Sequence, residues 1–357
     1  TLLLAQPDGR IETVASRRQD QYDTTSGWFR YYVPFRVLAA IDGNERFAAA
    51  VEALEAMAAN ETTHAAEKVS PLAHSAITFF AFREMTVNLP SADRASGPNE
   101  FSAWLERSGL YRERHGEFAV SVFGGHDRWP DGEVTPEVSG RAANPTWLTF
   151  CAGTASIRWV RIIPRFFTIG YLRPRLVAQD GPVSRLEISR EIGYFQPLPA
   201  EARRPDGRYG LSTGDGRFWS AIDLDKRRLT NAQSVGVSIA VHPRGDGCDV
   251  VITADASTPL AFCVEIAVDP TSTVVGGAWD AGVHSTTIRS GASMIRVDLQ
   301  SDRPDPWAPT DRDYGDMERM RRLAEREIHA EAPLQIVHAS FEAPGSARLS
   351  IRGQGEG

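Results

Sequence analysis

FAVSVFGGHDRWPDG, residues 118–132, carries the reading of the fold. Its first six residues, Phe118 to Phe123, are apolar, β-branched or small and contain no helix-period stripe, so they predict a strand. The double glycine that follows stops it, and His126-Asp-Arg-Trp129 then form a polar loop at the strand end. Ten further runs read the same way: 148–151, 157–163, 166–172, 184–189, 235–241, 249–253, 260–267, 294–299, 334–341 and 347–351. Asp180-Gly181, Asp206-Gly207 and Gly245-Asp-Gly247 supply turn chemistry between them. Eleven strands exceed what two ordinary sheets hold and predict a large sandwich of several stacked antiparallel sheets. One amphipathic helix interrupts it near 313–330, with Met317, Met320, Leu323, Ala324 and Ile328 on one face.

Upstream of this region the period changes. Asn44 can cap a helix carrying Phe47, Val51, Leu54 and Met57. Residues 27–41 are rich in large apolar side chains and predict a buried helix, with Pro34 expected to kink or break it. Ser70-Pro71 opens a third helix that runs to about Asn88. PSADRASGP, residues 90–98, reads as a linker. The organisation expected is therefore a helical segment, 1–90, followed by a β-sandwich domain, 91–357.

Composition narrows the partners. Net charge is −7 with acidic residues in excess, which argues against nucleic acid. No stretch approaches the roughly 20 apolar residues that span a bilayer, so no membrane partner is expected. Cys151, Cys248 and Cys263 make neither a CxxC pair nor a disulfide framework, and they leave the compartment open between cytoplasm and a secreted or periplasmic location. The chain starts without Met and reads as a processed or truncated product. GxSxG, the P-loop, a Rossmann fingerprint and HExxH are all absent, so neither a cofactor nor a metal is expected.

Two stretches combine the residue types that hold sugars. Polar and charged groups bond to hydroxyls or carboxylates, and aromatic faces pack against the ring. The first is SRRQDQYDTTSGW, residues 16–28, with Arg18, Asp20, Tyr22 and Trp28, leading into a helix with Tyr31. Its plainer reading is a capped, solvated loop. The second is the loop with His126, Arg128 and Trp129, whose plainer reading is a hairpin turn in which Asp127 pairs with Arg128. The glycines before it allow close backbone approach. His74, in the first turn of its helix, reads alone as a structural histidine. The run 158–165, RWVRIIPR, would place several arginines on one strand face; that face reads as the wet side of a sheet or as an anionic groove. The remaining histidines, His115 and His338 among them, receive no role.

DQYDTTSGWFRYY, residues 20–32, resembles the toroid segment of the heparinase and alginate-lyase type of polysaccharide lyase. Residues 259–265, Trp279, 288–291 and 295–297 resemble strands of that family's C-terminal sandwich. The resemblance implies an α+β chain: the C-terminal part of an (α/α) toroid followed by a large antiparallel β-supersandwich. A missing N-terminal portion or a partner chain would complete the toroid. The implied activity is β-elimination on a uronate-containing, anionic poly- or oligosaccharide. In that scheme Tyr22, Tyr31 and His126 are the acid–base candidates, Arg18 and Arg128 hold the carboxylate, and Asp20, Trp28, His74 and Trp129 line the substrate site. A glycoside hydrolase using two of Asp20, Asp23 and Asp127, or a non-catalytic carbohydrate-binding module, are the alternatives.

Overall fold

The protein is described by a computed structural model covering residues 2–4, 6–7, 12–15, 29–42, 47–48, 50–52, 55, 81, 83–89, 100–124, 145–166, 171–206, 227–269, 271–276, 283–307 and 334–354. Sixteen strands form two antiparallel sheets of eight. The first sheet contains β1 (Glu100–Leu105), β2 (Leu110–His115), β3 (Phe118–Phe123), β4 (Leu148–Ala152), β5 (Ala155–Pro164), β10 (Leu260–Val268), β15 (Gln335–Ala343) and β14 (Pro304–Asp305), in that spatial order. The second runs β11 (Thr273–Val275), β12 (Val283–Ser290), β13 (Ser293–Ser301), β16 (Gly345–Gln354), β9 (Gly247–Ala256), β8 (Leu229–Arg244), β7 (Val183–Phe195) and β6 (Arg175–Asp180). The several sheets expected from the sequence are thus two wide ones among the described residues.

One apolar core lies between them. Val122, Phe150, Val160, Phe262, Val264 and Phe341 of the first sheet meet Ile239, Val250, Ile252, Val297, Leu299 and Leu349 of the second, and all are at most 1% exposed. Phe262 and Phe341 are register partners whose rings stack 6.0 Å apart. At one end the sheets are also joined by polar contacts. The Thr154 amide donates to Ser293 Oγ (3.1 Å) and the Thr154 hydroxyl to the Ser290 carbonyl (2.7 Å), which ties the β4–β5 turn to the β12–β13 turn.

The outer faces of the two sheets differ. In β13 buried and more exposed residues alternate, as expected of a sheet with one wet side. In β10, LAFCVEIAV, all nine residues are buried. Such a run requires cover on both faces. Near β3 part of the cover is the chain's own start: Val14 packs with Leu110 and Phe123, with Leu4, Ala15 and Leu105 around them. Near β5 and β10, Trp307, Leu334 and Ile336 pack against Trp159, Ile163 and Cys263. Within 158–165 the central arginine is therefore not on a wet face: Arg161 is 2% exposed, because the side it occupies is covered, whereas Arg165 is exposed. The three cysteines are all buried as free thiols, and burial pushes Cys248 up to about 12.

The helical part is represented by α1 (Phe29–Asp42), with helical residues at 47–48, 50–52, 55, 81 and 83–86. Pro34 lies inside α1 without ending it; it sits on the exposed side and removes a single hydrogen bond near the helix start. Tyr32 donates to Glu55 Oε1 (2.8 Å), Phe35 stacks on Phe47 (5.9 Å), and Arg36 donates to the Leu89 carbonyl (2.6 Å). These contacts hold the helical pieces together. The linker at 90–98 and the helix at 313–330 lie outside the described residues. The run 166–172 is not a strand where described; Leu172 makes only an isolated bridge to Ile162. No helix among the described residues is long and apolar enough to cross a membrane.

Phe262→Ala should destabilise the protein by about 3–5 kcal/mol, since it empties a ring-sized volume in the centre of the core. A urea-unfolding midpoint compared with wild type measures this.

Candidate functional site

Polar groups on the covered face of the first sheet are arranged in two clusters. The first docks the N-terminal residues. Glu12 Oε2 accepts from Gln6 Nε2 (2.9 Å) and from the Thr149 hydroxyl of β4, and Glu12 Oε1 accepts the Val14 amide (3.0 Å). Arg112 of β2, fully buried, donates from Nη2 to Gln6 Oε1 (3.0 Å). A buried carboxylate must be neutralised or multiply bonded, and Glu12 receives three donors. The cluster therefore pins Gln6 and Glu12 to β2 and β4.

The second cluster lies on β5 and β10. The Arg161 guanidinium carbon is 4.0 Å from the centre of the Trp159 ring and 5.2 Å from that of Tyr171. Its Nε donates to the Thr146 hydroxyl (3.1 Å). A guanidinium in contact with two aromatic faces away from water gains about 2 kcal/mol from the ring quadrupole. The Tyr171 hydroxyl donates to Glu265, which is 1% exposed and the register partner of both Arg161 and His338. A cation, a phenol, a carboxylate and an imidazole thus share one covered row of the sheet.

A third group sits on the first sheet's edge, on the face that turns toward the core. His115 Nδ1 bonds Glu100 Oε2 (2.6 Å) and its Nε2 bonds Glu113 Oε1 (2.8 Å); Glu113 also accepts from the Tyr111 hydroxyl, which is 3.0 Å from Ser102 Oγ. Burial followed by the Glu113 bond pushes the Tyr111 phenol up. Partial burial alone would lower His115, but the bonds and charges of Glu113 and Glu100 outweigh it and raise it above its ordinary 6.5. These groups bond one another in a chain, and no group of three or more metal-ligating residues is found among the described residues.

Of the residues singled out from the sequence, Arg18, Asp20, Tyr22, Trp28, His74, His126, Arg128 and Trp129 lie outside the described residues. Tyr31 belongs to α1 by its backbone. The structure does bring together the residues from which two of those stretches depart. Val14 and Ala15, just before residues 16–28, pack with Leu110 and Phe123, just before the loop that starts at 125. Gly124 is held on both sides: its amide donates to the Gly109 carbonyl (3.0 Å) and its carbonyl accepts the Leu176 amide (3.3 Å). A Cβ built on Gly124 would stand 2.2 Å from the Leu176 nitrogen, so the close approach expected of the glycines is real at this one.

Of the Arg161–Tyr171–Glu265 cluster, the sequence pointed to Arg161 within the run 158–165 but not to its meeting with Glu265. The signal for that meeting was Glu265, the one charge in an otherwise apolar run of nine. The β2 groups had a signal too: Tyr111, Glu113 and His115 alternate with Arg112 and Arg114 at strand period.

No family model matches the sequence, and no curated protein matches it. Among solved structures the chain is similar to a heparinase III (9% identity, TM-score 0.40, covering 77% of this chain and 40% of that one). It is also similar to a heparinase III gene product with methylated lysines (8%, TM-score 0.42, 99% and 45%) and to a heparan sulfate lyase mutant from Pedobacter heparinus (10%, TM-score 0.39, 100% and 46%). The chain spans less than half the length of each.

The raised His115 pKa makes a pH prediction. Its contribution to stability is complete below the unfolded value of about 6.5 and is lost as pH rises through the higher folded value. Melting temperatures across that window should fall more in wild type than in His115→Gln. In a separate measurement, Glu12→Ala should speed hydrogen exchange in residues 6–15, since it leaves Gln6 and Thr149 without their shared acceptor.

These solved structures, heparinase III and a heparan sulfate lyase, are of the kind that the sequence resembles.

Proposed function

We propose that this chain is the sandwich-bearing part of a polysaccharide-degrading enzyme, a lyase that cleaves a uronate-containing glycan by β-elimination. The observation that supports this reading is the contact of Val14 and Ala15 with Leu110 and Phe123. Both polar-aromatic stretches start from that one place on the covered face. Ala15 is three residues from Arg18, and Phe123 is three from His126; each tether reaches at most roughly 10 Å. The two stretches are thus tethered within reach of a common substrate.

The chemistry divides among the candidates as follows. Arg18 or Arg128 pairs with the uronate carboxylate and so acidifies the C5 proton. His126, Tyr22 or Tyr31 removes that proton. The C5 electron pair forms the C4–C5 double bond as the C4–O bond breaks, and a Tyr or His proton goes to the leaving oxygen. Asp20, Trp28, His74 and Trp129 orient the sugars through hydroxyl bonds and ring stacking.

The purified chain incubated with uronate polymers should give an ultraviolet-absorbing unsaturated product. New reducing ends without that absorbance would favour the hydrolase, and binding without either would favour a non-catalytic module. His126→Ala should lower turnover by about 10²–10⁴-fold with an unchanged melting temperature.

A further inference from the structure

The wet face of the second sheet carries a shallow groove of about 530 Å³ over β13, β16 and β9. Its floor is an ordered grid. Gln300, Arg348 and Val251 are register partners across the three strands, and Asp298, Ser350 and Asp249 form the adjacent row. Strands lie about 4.8 Å apart, so each row presents three side chains over about 10 Å.

The charges that line this groove are unevenly paired. Arg296 donates to Asp298 (2.8 Å), and Asp249 is shared by Arg244 and Arg352. Partial burial would raise Asp249, but the bonds from Arg352 and Arg244 reverse this and keep it below the usual range. Both aspartates are thus occupied. Arg348, exposed in the middle strand, makes no ion pair or hydrogen bond among the described residues. Among the lining residues Arg296 and Arg348 stand against Asp249 and Asp298, and since Arg296 takes Asp298 while Arg244 and Arg352 take Asp249, Arg348 is left without a counter-ion among the described residues. The Arg348 fork is free to take a planar anion in bidentate fashion, and Gln300 and Ser350 add a side-chain amide and a hydroxyl that suit sugar hydroxyls.

We propose that this groove on the second sheet is a further binding site, for the carboxylate of an acidic oligosaccharide, with Arg348 as its anchor. The choice of a uronate as the ligand rests on the function proposed above; the charge geometry of the groove does not.

Arginine-specific labelling with phenylglyoxal, mapped by mass spectrometry, tests the site directly. Hexagalacturonate should protect Arg348 in the full chain, and a neutral hexasaccharide should not. Arg289, exposed on the same side of β12 but outside the groove, should be labelled equally in all samples. In titration calorimetry, Arg348→Ala should weaken hexagalacturonate binding at this site by about tenfold. Arg348→Lys should fall between it and wild type. Equal labelling of Arg348 with and without the acidic sugar, or equal protection by the neutral one, would overturn the site. Protection of Arg348 in a chain that forms no unsaturated product would leave the site standing and remove the lyase reading. Product formation without protection would do the reverse.

Discussion

The central strands of the first sheet are covered on both sides, and this constraint organises much of the molecule. A strand such as β10 has no solvent to turn its polar atoms toward, so each must find a partner inside. Glu265 takes the Tyr171 hydroxyl, Arg161 lies against two rings, and Glu12 collects donors from the chain start and from β4. The second sheet faces no such demand. Its outward residues alternate with core residues, and its arginines and aspartates pair in the open, where exposed ion pairs contribute little to stability. One sheet is therefore suited to hold chemistry in a dry setting, and the other to meet a ligand from solvent.

The same asymmetry explains which parts of the fold could be read in advance. β3 and β10 were legible almost to the residue, because their side chains are apolar or small over a strand-length run. β1 and β6 were not, because these edge strands let charged residues such as Glu100 and Asp180 sit in them at little cost, and neither was β2, where Arg112, Glu113 and Arg114 interrupt the apolar pattern. The sheet count failed for a related reason. Periodicity marks individual strands, whereas the number in one sheet depends on long-range pairing such as β5 with β10, about a hundred residues apart.

The candidate site was legible as residue types and not as an assembly. RWVRIIPR looked like a wet face, since arginines set among the apolar residues of a strand usually mark one. Its burial comes from Trp307, Leu334 and Tyr171, which no local pattern around 158–165 announces. Conversely, nothing near residue 14 or residue 123 indicates that the two meet; that contact is a product of the N-terminal residues crossing the covered face. The polar-aromatic stretches at 16–28 and 125–129 acquire a common origin only through it.

Gly124 has a consequence for how such a protein could diversify. The backbone there is clamped between Gly109 and Leu176, and the space a side chain would need is already taken by the Leu176 backbone. The clamp keeps the point of departure of the following segment constant. The position works as a fixed junction between the sheet and whatever follows it, and loops grafted from other chains should be joined after it and not before.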